Sequence, residues 1–123
     1  MGRSSPAAPN FRWSAVVRES DYDMFVTLDR ASHEPHPGVV FFDPETSERL
    51  WSSGVWSKVN DTMGTSFDFA EEEVVSGDKA RYLSDVLVGA LNQVPEPMRP
   101  SIRAAAELLR ESVSRNENVI IVL

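Results

Sequence analysis

Five apolar residues in a row, Val119-Ile120-Ile121-Val122-Leu123, close the sequence, and most of them are β-branched. A short apolar run without alternation predicts a strand that is covered on both faces or lies inside a sheet. Such a strand needs partners from earlier in the chain, and the residues before it show how the chain reaches them. Ala80, Leu83, Val86, Leu87, Ala90, Leu91 and Val94 recur in steps of three and four. That spacing lays one apolar stripe along a helix, and Lys79, Arg81, Asp85 and Asn92 fall on the opposite side. Ser76-Gly77-Asp78 supplies cap candidates at its start, because a Ser or Asp oxygen accepts an orphan backbone N–H. Val94-Pro95-Glu96-Pro97 ends it, since proline disfavours the α conformation in the residue before it. Pro100 suits the first turn of a second helix, where a missing N–H is harmless. Ile102, Ala105, Ala106, Leu109 and Val113 form the stripe of that helix, and Asn116 fits a left-handed residue after its end.

The first half reads as extended. Residues 1–10 are small, polar and proline-rich, which predicts a disordered tail. In 11–18, Phe11, Trp13, Ala15 and Val17 alternate with Arg12, Ser14 and Arg18, with Val16 as the exception, which predicts a half-buried strand. In 22–29, Tyr22, Met24, Val26 and Leu28 alternate with Asp23, Phe25, Thr27 and Asp29. With Glu19-Ser20-Asp21 between them, the two segments predict an antiparallel hairpin. Residues 30–38 read as a loop holding two prolines and both histidines. Val39-Val40-Phe41-Phe42 is a second continuous apolar strand, and Asp43-Pro44-Glu45-Thr46-Ser47 reads as a turn. Residues 49–53 read as the return strand, 55–60 as extended, and 63–69 as a further strand; 71–76 fits an acidic loop or an extra helical turn. Strands followed by helices predict an α+β fold. The expected architecture is a largely antiparallel sheet of five to six strands, two C-terminal helices on one face, and a buried last strand antiparallel to the one before the helices. Residues 11–123 are expected to form one domain.

Charge is unevenly distributed. The net charge is −7, and residues 43–78 hold nine acids (Asp43, Glu45, Glu48, Asp61, Asp68, Glu71, Glu72, Glu73, Asp78) against two bases (Arg49, Lys58). Nine minus two is seven, so this window accounts for the entire net charge. A nucleic-acid binder requires the opposite sign, so the asymmetry points to a basic protein partner, a cation or plain solubility. With no cysteine, the chain can form neither a disulfide nor a thiolate site, which fits a reducing compartment. No apolar run is long enough to span a membrane, and residues 1–6 lack the apolar core of a secretory signal. Pro6 also stands where a myristoylation motif requires Ser or Thr. The expected location is cytoplasmic.

Catalytic motifs are sparse. His33 and His36 stand three apart, but zinc requires more nitrogen or sulfur ligands than this pair supplies, so they read as loop histidines and no metal or cofactor is expected. No G-x-S-x-G elbow and no glycine-rich phosphate loop is present. Carboxylate pairs such as Asp21 with Asp23 or Asp61 with Asp68 could serve acid–base chemistry if buried, but charged turn residues are ordinarily solvated. In the acidic window, Trp51, Trp56, Phe67 and Phe69 are interleaved with Asp61, Asp68, Glu71, Glu72 and Glu73. Aromatic side chains beside charges of one sign make good interface anchors, and the carboxylates would speed encounter with a cation-rich surface. The same aromatics serve equally as core.

The acidic segment Phe69-Ala70-Glu71-Glu72-Glu73, the helix over 80–94, the second helix over 102–115 and the terminal strand together resemble the small cytoplasmic α+β immunity proteins of bacterial polymorphic-toxin systems. The resemblance lies in the order of elements over residues 69–123. It implies an inhibitor that caps a basic nuclease toxin with an acidic surface. The leading expectation is therefore a non-enzymatic acidic protein-binding domain, with Trp51 and Trp56 as anchors and Asp61, Asp68, Glu71, Glu72 and Glu73 as ion-pair partners. The alternatives are a small-ligand binder or enzyme with a carboxylate acid–base site, and an accessory subunit that forms a homo-oligomer through an edge strand. Deleting residues 119–123 should abolish cooperative unfolding, because each large apolar side chain contributes roughly 1.5–3 kcal/mol when buried. A truncated protein with an unchanged melting temperature would contradict this layout.

Overall fold

A computed structural model describes residues 13–27, 36–64 and 72–123. Its strands are β1 (Ser14–Arg18), β2 (Val39–Phe42), β3 (Glu72–Val75) and β4 (Val119–Val122). Its helices are α1 (Tyr22–Thr27), α2 (Pro44–Ser52), α3 (Val55–Met63), α4 (Gly77–Ala90) and α5 (Arg99–Ser114). The strands form one sheet in the order β2-β1-β4-β3, and every pairing is antiparallel. The fold is α+β.

The last strand lies inside the sheet. β4 pairs with β1, Val16 opposite Ile121, and on its other side with β3, Val75 opposite Val119. Val119, Ile120 and Ile121 are buried. The helical hairpin α4–α5 returns the chain between the two antiparallel strands β3 and β4, as expected from the sequence. Its stripes are those read above: Ala80, Leu83, Val86, Leu87 and Ala90 are buried on α4, and Ile102, Ala105, Ala106 and Leu109 on α5. Small residues let the two helices approach, and the buried Ser84 hydroxyl donates to the Ala106 carbonyl at 2.9 Å. α5 ends in a Schellman motif. Asn116 is left-handed at φ 58°, its N–H reaches the Val113 carbonyl at 3.1 Å, and the Glu117 N–H reaches Ser112 at 2.8 Å.

Successive strand residues face opposite sides, and both sides of the sheet carry apolar residues. Val16, Phe42, Val75, Val119 and Ile121 join α2, α3, α4 and α5 in the main core. Ala15, Val17 and Val39 face the other way and pack with Phe25 of α1. The first strand is therefore more buried than its alternation predicts. Ser14 fits in the interior because its hydroxyl shares a 2.7 Å hydrogen bond with Ser47 of α2.

Three segments read as extended are helical. In 22–29, alternation also satisfies a three- and four-residue step, Tyr22 to Phe25 to Val26, and α1 forms with Phe25 buried. No hairpin joins it to β1. Residues 49–53 belong mostly to α2, because Asp43-Pro44 acts as a helix start: the Asp43 carboxylate accepts the Thr46 N–H at 2.8 Å and Pro44 takes the first position. Val55, Trp56 and Val59 suit a strand by propensity, yet they make one buried face of α3, and tertiary burial outweighs that preference. Conversely, 71–76 contains β3, stabilised by its ladder with β4. The described residues thus hold four strands rather than five or six. Met63 ends α3, and the rest of the strand expected over 63–69 lies mostly outside the described residues, as does the expected N-terminal tail.

One close approach fixes the entry to β2. Gly38 accepts the Arg18 N–H at 2.8 Å, and a Cβ there would collide with the Asp21 carboxylate, falling 2.7 Å from its Cγ. Gly38→Ala should lower stability by about 1–3 kcal/mol, and Asp21→Ala should recover much of that loss. Denaturant melts of the two single variants and the double variant check this; strictly additive effects would contradict it.

Candidate protein-binding surface

The described residues of the acidic window form two short helices, an edge strand and the start of α4. α2 buries Thr46, Ser47 and Leu50 and leaves Glu45, Glu48, Arg49 and Ser52 exposed. Glu45 and Glu48 stand three apart, so they are neighbours on one helix face. α3 begins after Gly54 in the left-handed region, φ 81°, and ends at Gly64, φ 66°. Glycine meets both requirements without the Cβ penalty. Asp61 and Lys58 are exposed on α3. β3 carries Glu72, exposed, and Glu73, half-buried. Glu72 accepts the Tyr22 hydroxyl of α1 at 2.8 and 2.9 Å, one distance to each carboxylate oxygen.

The two tryptophans have different roles. Their ring centroids are 6.3 Å apart, but Trp56 is 1% exposed and forms part of the main core. A side chain buried that fully offers no area to a partner. Trp51 is half-buried against the same core, with an edge available to a partner. Trp51 and Asp61 therefore share the α2–α3 unit, while Glu72 and Glu73 stand on a separate element at the sheet edge. Asp68 and Glu71 lie outside the described residues.

Glu45 and Glu48 stand outside the contact residues that the sequence suggests. The signal that finds them is Asp43-Pro44, read as N-cap and first helical position. Once α2 starts there, the two glutamates fall together on its solvent side. With Arg49, Ser52 and Met98 they line a groove of about 360 Å³ between α2 and the turn Glu96–Met98.

The carboxylates differ in how they are compensated. On the α4–α5 side, Asp78 pairs with Arg81 at 3.4 Å, Asp85 with Arg110 at 3.4 Å, and Glu111 with Arg115 at 3.3 Å. Arg18, only 14% exposed in its side chain, draws in Glu111 at 2.8 Å, Glu117 at 3.7 Å and Asp21 at 3.8 Å. By contrast, Glu45, Glu48, Asp61 and Glu96 make no ion pair among the described residues, and Asp23 and Glu107 share that property. Residues 77–114 are balanced, with Asp78, Asp85, Glu96, Glu107 and Glu111 against Lys79, Arg81, Arg99, Arg103 and Arg110. On α2 and α3, Glu45, Glu48 and Asp61 stand exposed beside Arg49 and Lys58, three acids against two bases, and none of the five is in an ion pair among the described residues.

Of the two histidines, His33 lies outside the described residues. His36 accepts the Gly38 N–H through Nδ1 at 3.1 Å, which gives it a place in the turn before β2. The described residues contain no group of three His, Cys, Asp or Glu able to hold a metal ion, and no helix among them is long and apolar enough to cross a membrane.

No protein-family model and no curated protein matches the chain. Among solved structures, the chain is similar to the Neisseria DNA mimic protein DMP12, with a TM-score of 0.61 and 12% identity over 89% of this chain and 98% of that one. At that identity the likeness is one of fold.

Proposed function

We propose that this chain is a non-enzymatic acidic binding domain whose α2–α3 carboxylates occupy the place of nucleic-acid phosphates before a basic protein. The observation that carries the reading is that Glu45, Glu48 and Asp61 stand exposed and outside any ion pair among the described residues, whereas Asp78, Asp85 and Glu111 of α4–α5 are paired. Carboxylates already paired gain little from a new cation, whereas unpaired ones attract it at full strength and steer its approach. The fold neighbour bears the name of a DNA mimic, which supports the same reading by analogy of fold. Duplex DNA presents a dense row of negative charges that basic proteins neutralise with Lys and Arg, and exposed glutamates on a helix offer charge of the same sign.

In this reading Trp51 supplies the apolar contact, and Glu72 and Glu73 extend the acidic surface at the sheet edge. Asp68 and Glu71 belong to the same acidic window. An immunity-type inhibitor that caps a basic nuclease toxin is one member of this class, because a nuclease also presents a phosphate-binding surface. The identity of the partner separates that case from a regulator of DNA-binding proteins.

The test is affinity capture from native-host lysate at low salt, with elution by a salt gradient and identification of the retained protein. A basic protein should leave at a defined salt step. The triple variant Glu45→Lys, Glu48→Lys, Asp61→Lys should weaken its binding about tenfold or more. Glu107→Lys, an exposed charge change on α5, should leave binding nearly unchanged. The triple variant changes the net charge by six and Glu107→Lys by two, so a free-energy loss from Glu107→Lys about one third of the triple variant's would show a response to net charge alone, and no loss from either would move the site away from α2–α3.

A further inference from the structure

Glu45 and Glu48 stand on the first half of α2, and that half is seated without a large apolar side chain. Along residues 44–48 the buried side chains are Thr46 and Ser47, while Glu45 and Glu48 are exposed and Pro44 is half-buried. The apolar contacts of α2 come one turn later, where Leu50 is fully buried and Trp51 packs half-buried on the main core. A surface helix ordinarily takes its roll from an apolar stripe along its length. Here the stripe covers the second half, so the first half needs another constraint.

Hydrogen bonds provide it. The Asp43 carboxylate accepts the Thr46 N–H at 2.8 Å, which fixes where the helix starts but not how it sits on the sheet. The Ser47 hydroxyl reaches across to β1. It shares a 2.7 Å hydrogen bond with the Ser14 hydroxyl and lies 3.5 Å from the Phe42 carbonyl at the end of β2. Ser14 and Ser47 are each only 5% exposed, and a buried hydroxyl that loses its partner is strongly disfavoured. Each serine therefore holds the other in place. Ser14 is two residues before Val16, so both face the helical layer, and β1 lies inside the sheet between β2 and β4. The half of α2 that bears the two glutamates is thus tied to an interior strand.

We infer that Ser14 and Ser47 are positioning residues for Glu45 and Glu48: their hydrogen bond seats the first half of α2 on the sheet and so sets the direction in which the two glutamates are presented. That the glutamates meet a partner rests on the binding reading above. The lock itself is a property of the free protein, so the two fail separately. Helix propensity points the other way, because alanine is a better helix former than serine. Without the lock, Ser47→Ala would firm α2 rather than loosen it.

Amide hydrogen exchange on Ser14→Ala, Ser47→Ala and the double variant, with denaturant melts of each, provides the test. Each single variant leaves one buried hydroxyl unpaired and should lose stability. The double variant leaves none and should recover much of that loss. If the pair served only to satisfy two buried polar atoms, the double variant would also regain full protection in α2. The lock predicts otherwise. In the double variant the Glu48 and Arg49 amides should exchange about five- to tenfold faster than in the unaltered protein, after correction for intrinsic rates, while the amides of α4 and α5 follow global stability. Unchanged protection at Glu48 and Arg49 in the double variant would overturn the inference, and so would exchange there that only tracks global unfolding. The triple charge variant tests the binding reading, and these two amides test the lock.

Discussion

Everything else in this fold depends on the insertion of β4 between β1 and β3. A strand in that position must find backbone partners on both edges and apolar neighbours on both faces. Its sequence, Val119-Ile120-Ile121-Val122, meets the second requirement. The first requires the chain to travel back along the sheet after β3, which the α4–α5 hairpin accomplishes in two apolar helices. Because those helices fill one side of the sheet, the other elements have defined places. α2 and α3 extend the helical layer on the core side, and α1 crosses the opposite face. The acidic helices are thus carried on a rigid base formed by elements distant in sequence.

That arrangement separates two kinds of surface. α4 and α5 carry five bases against four acids, and several of these charges meet as ion pairs. Exposed pairs of this type contribute little to stability, typically 0–1 kcal/mol each. Their larger effect is on the field, which they cancel locally. On α2 and α3 three acids stand with two bases and none is ion-paired among the described residues, so Glu45, Glu48 and Asp61 stay open to an incoming cation. Folds host many functions, so the site carries the argument.

The legibility of the sequence followed the length and punctuation of its elements. α4, α5 and β4 were readable because long stripes lay between Ser76-Gly77-Asp78, the Pro95–Pro97 stop and Asn116. α1, α2 and α3 were not, because each is two to three turns or fewer and rich in residues that also suit strands. Tyr22, Phe25 and Val26 satisfy both periods over so short a run. Asp43-Pro44 serves equally as a turn and as a helix start, and only burial of Thr46, Ser47 and Leu50 selects between them. The same ambiguity affected the site. With 55–60 taken as extended, nothing distinguished Trp56 from Trp51. Once α3 is a helix, Trp56 joins Val55 and Val59 in the core while Trp51 stays half-exposed. Glu45 and Glu48 became visible as a pair for the same reason.

The most direct measurement of the binding claim is a displacement titration. The basic partner obtained by capture is loaded with a labelled DNA duplex, and the acidic protein is added while the anisotropy of the duplex is followed. The account predicts full release of the duplex, with both ligands competing for one surface and the competition weakening as salt rises. A ternary complex that retains the duplex at saturating acidic protein would contradict it.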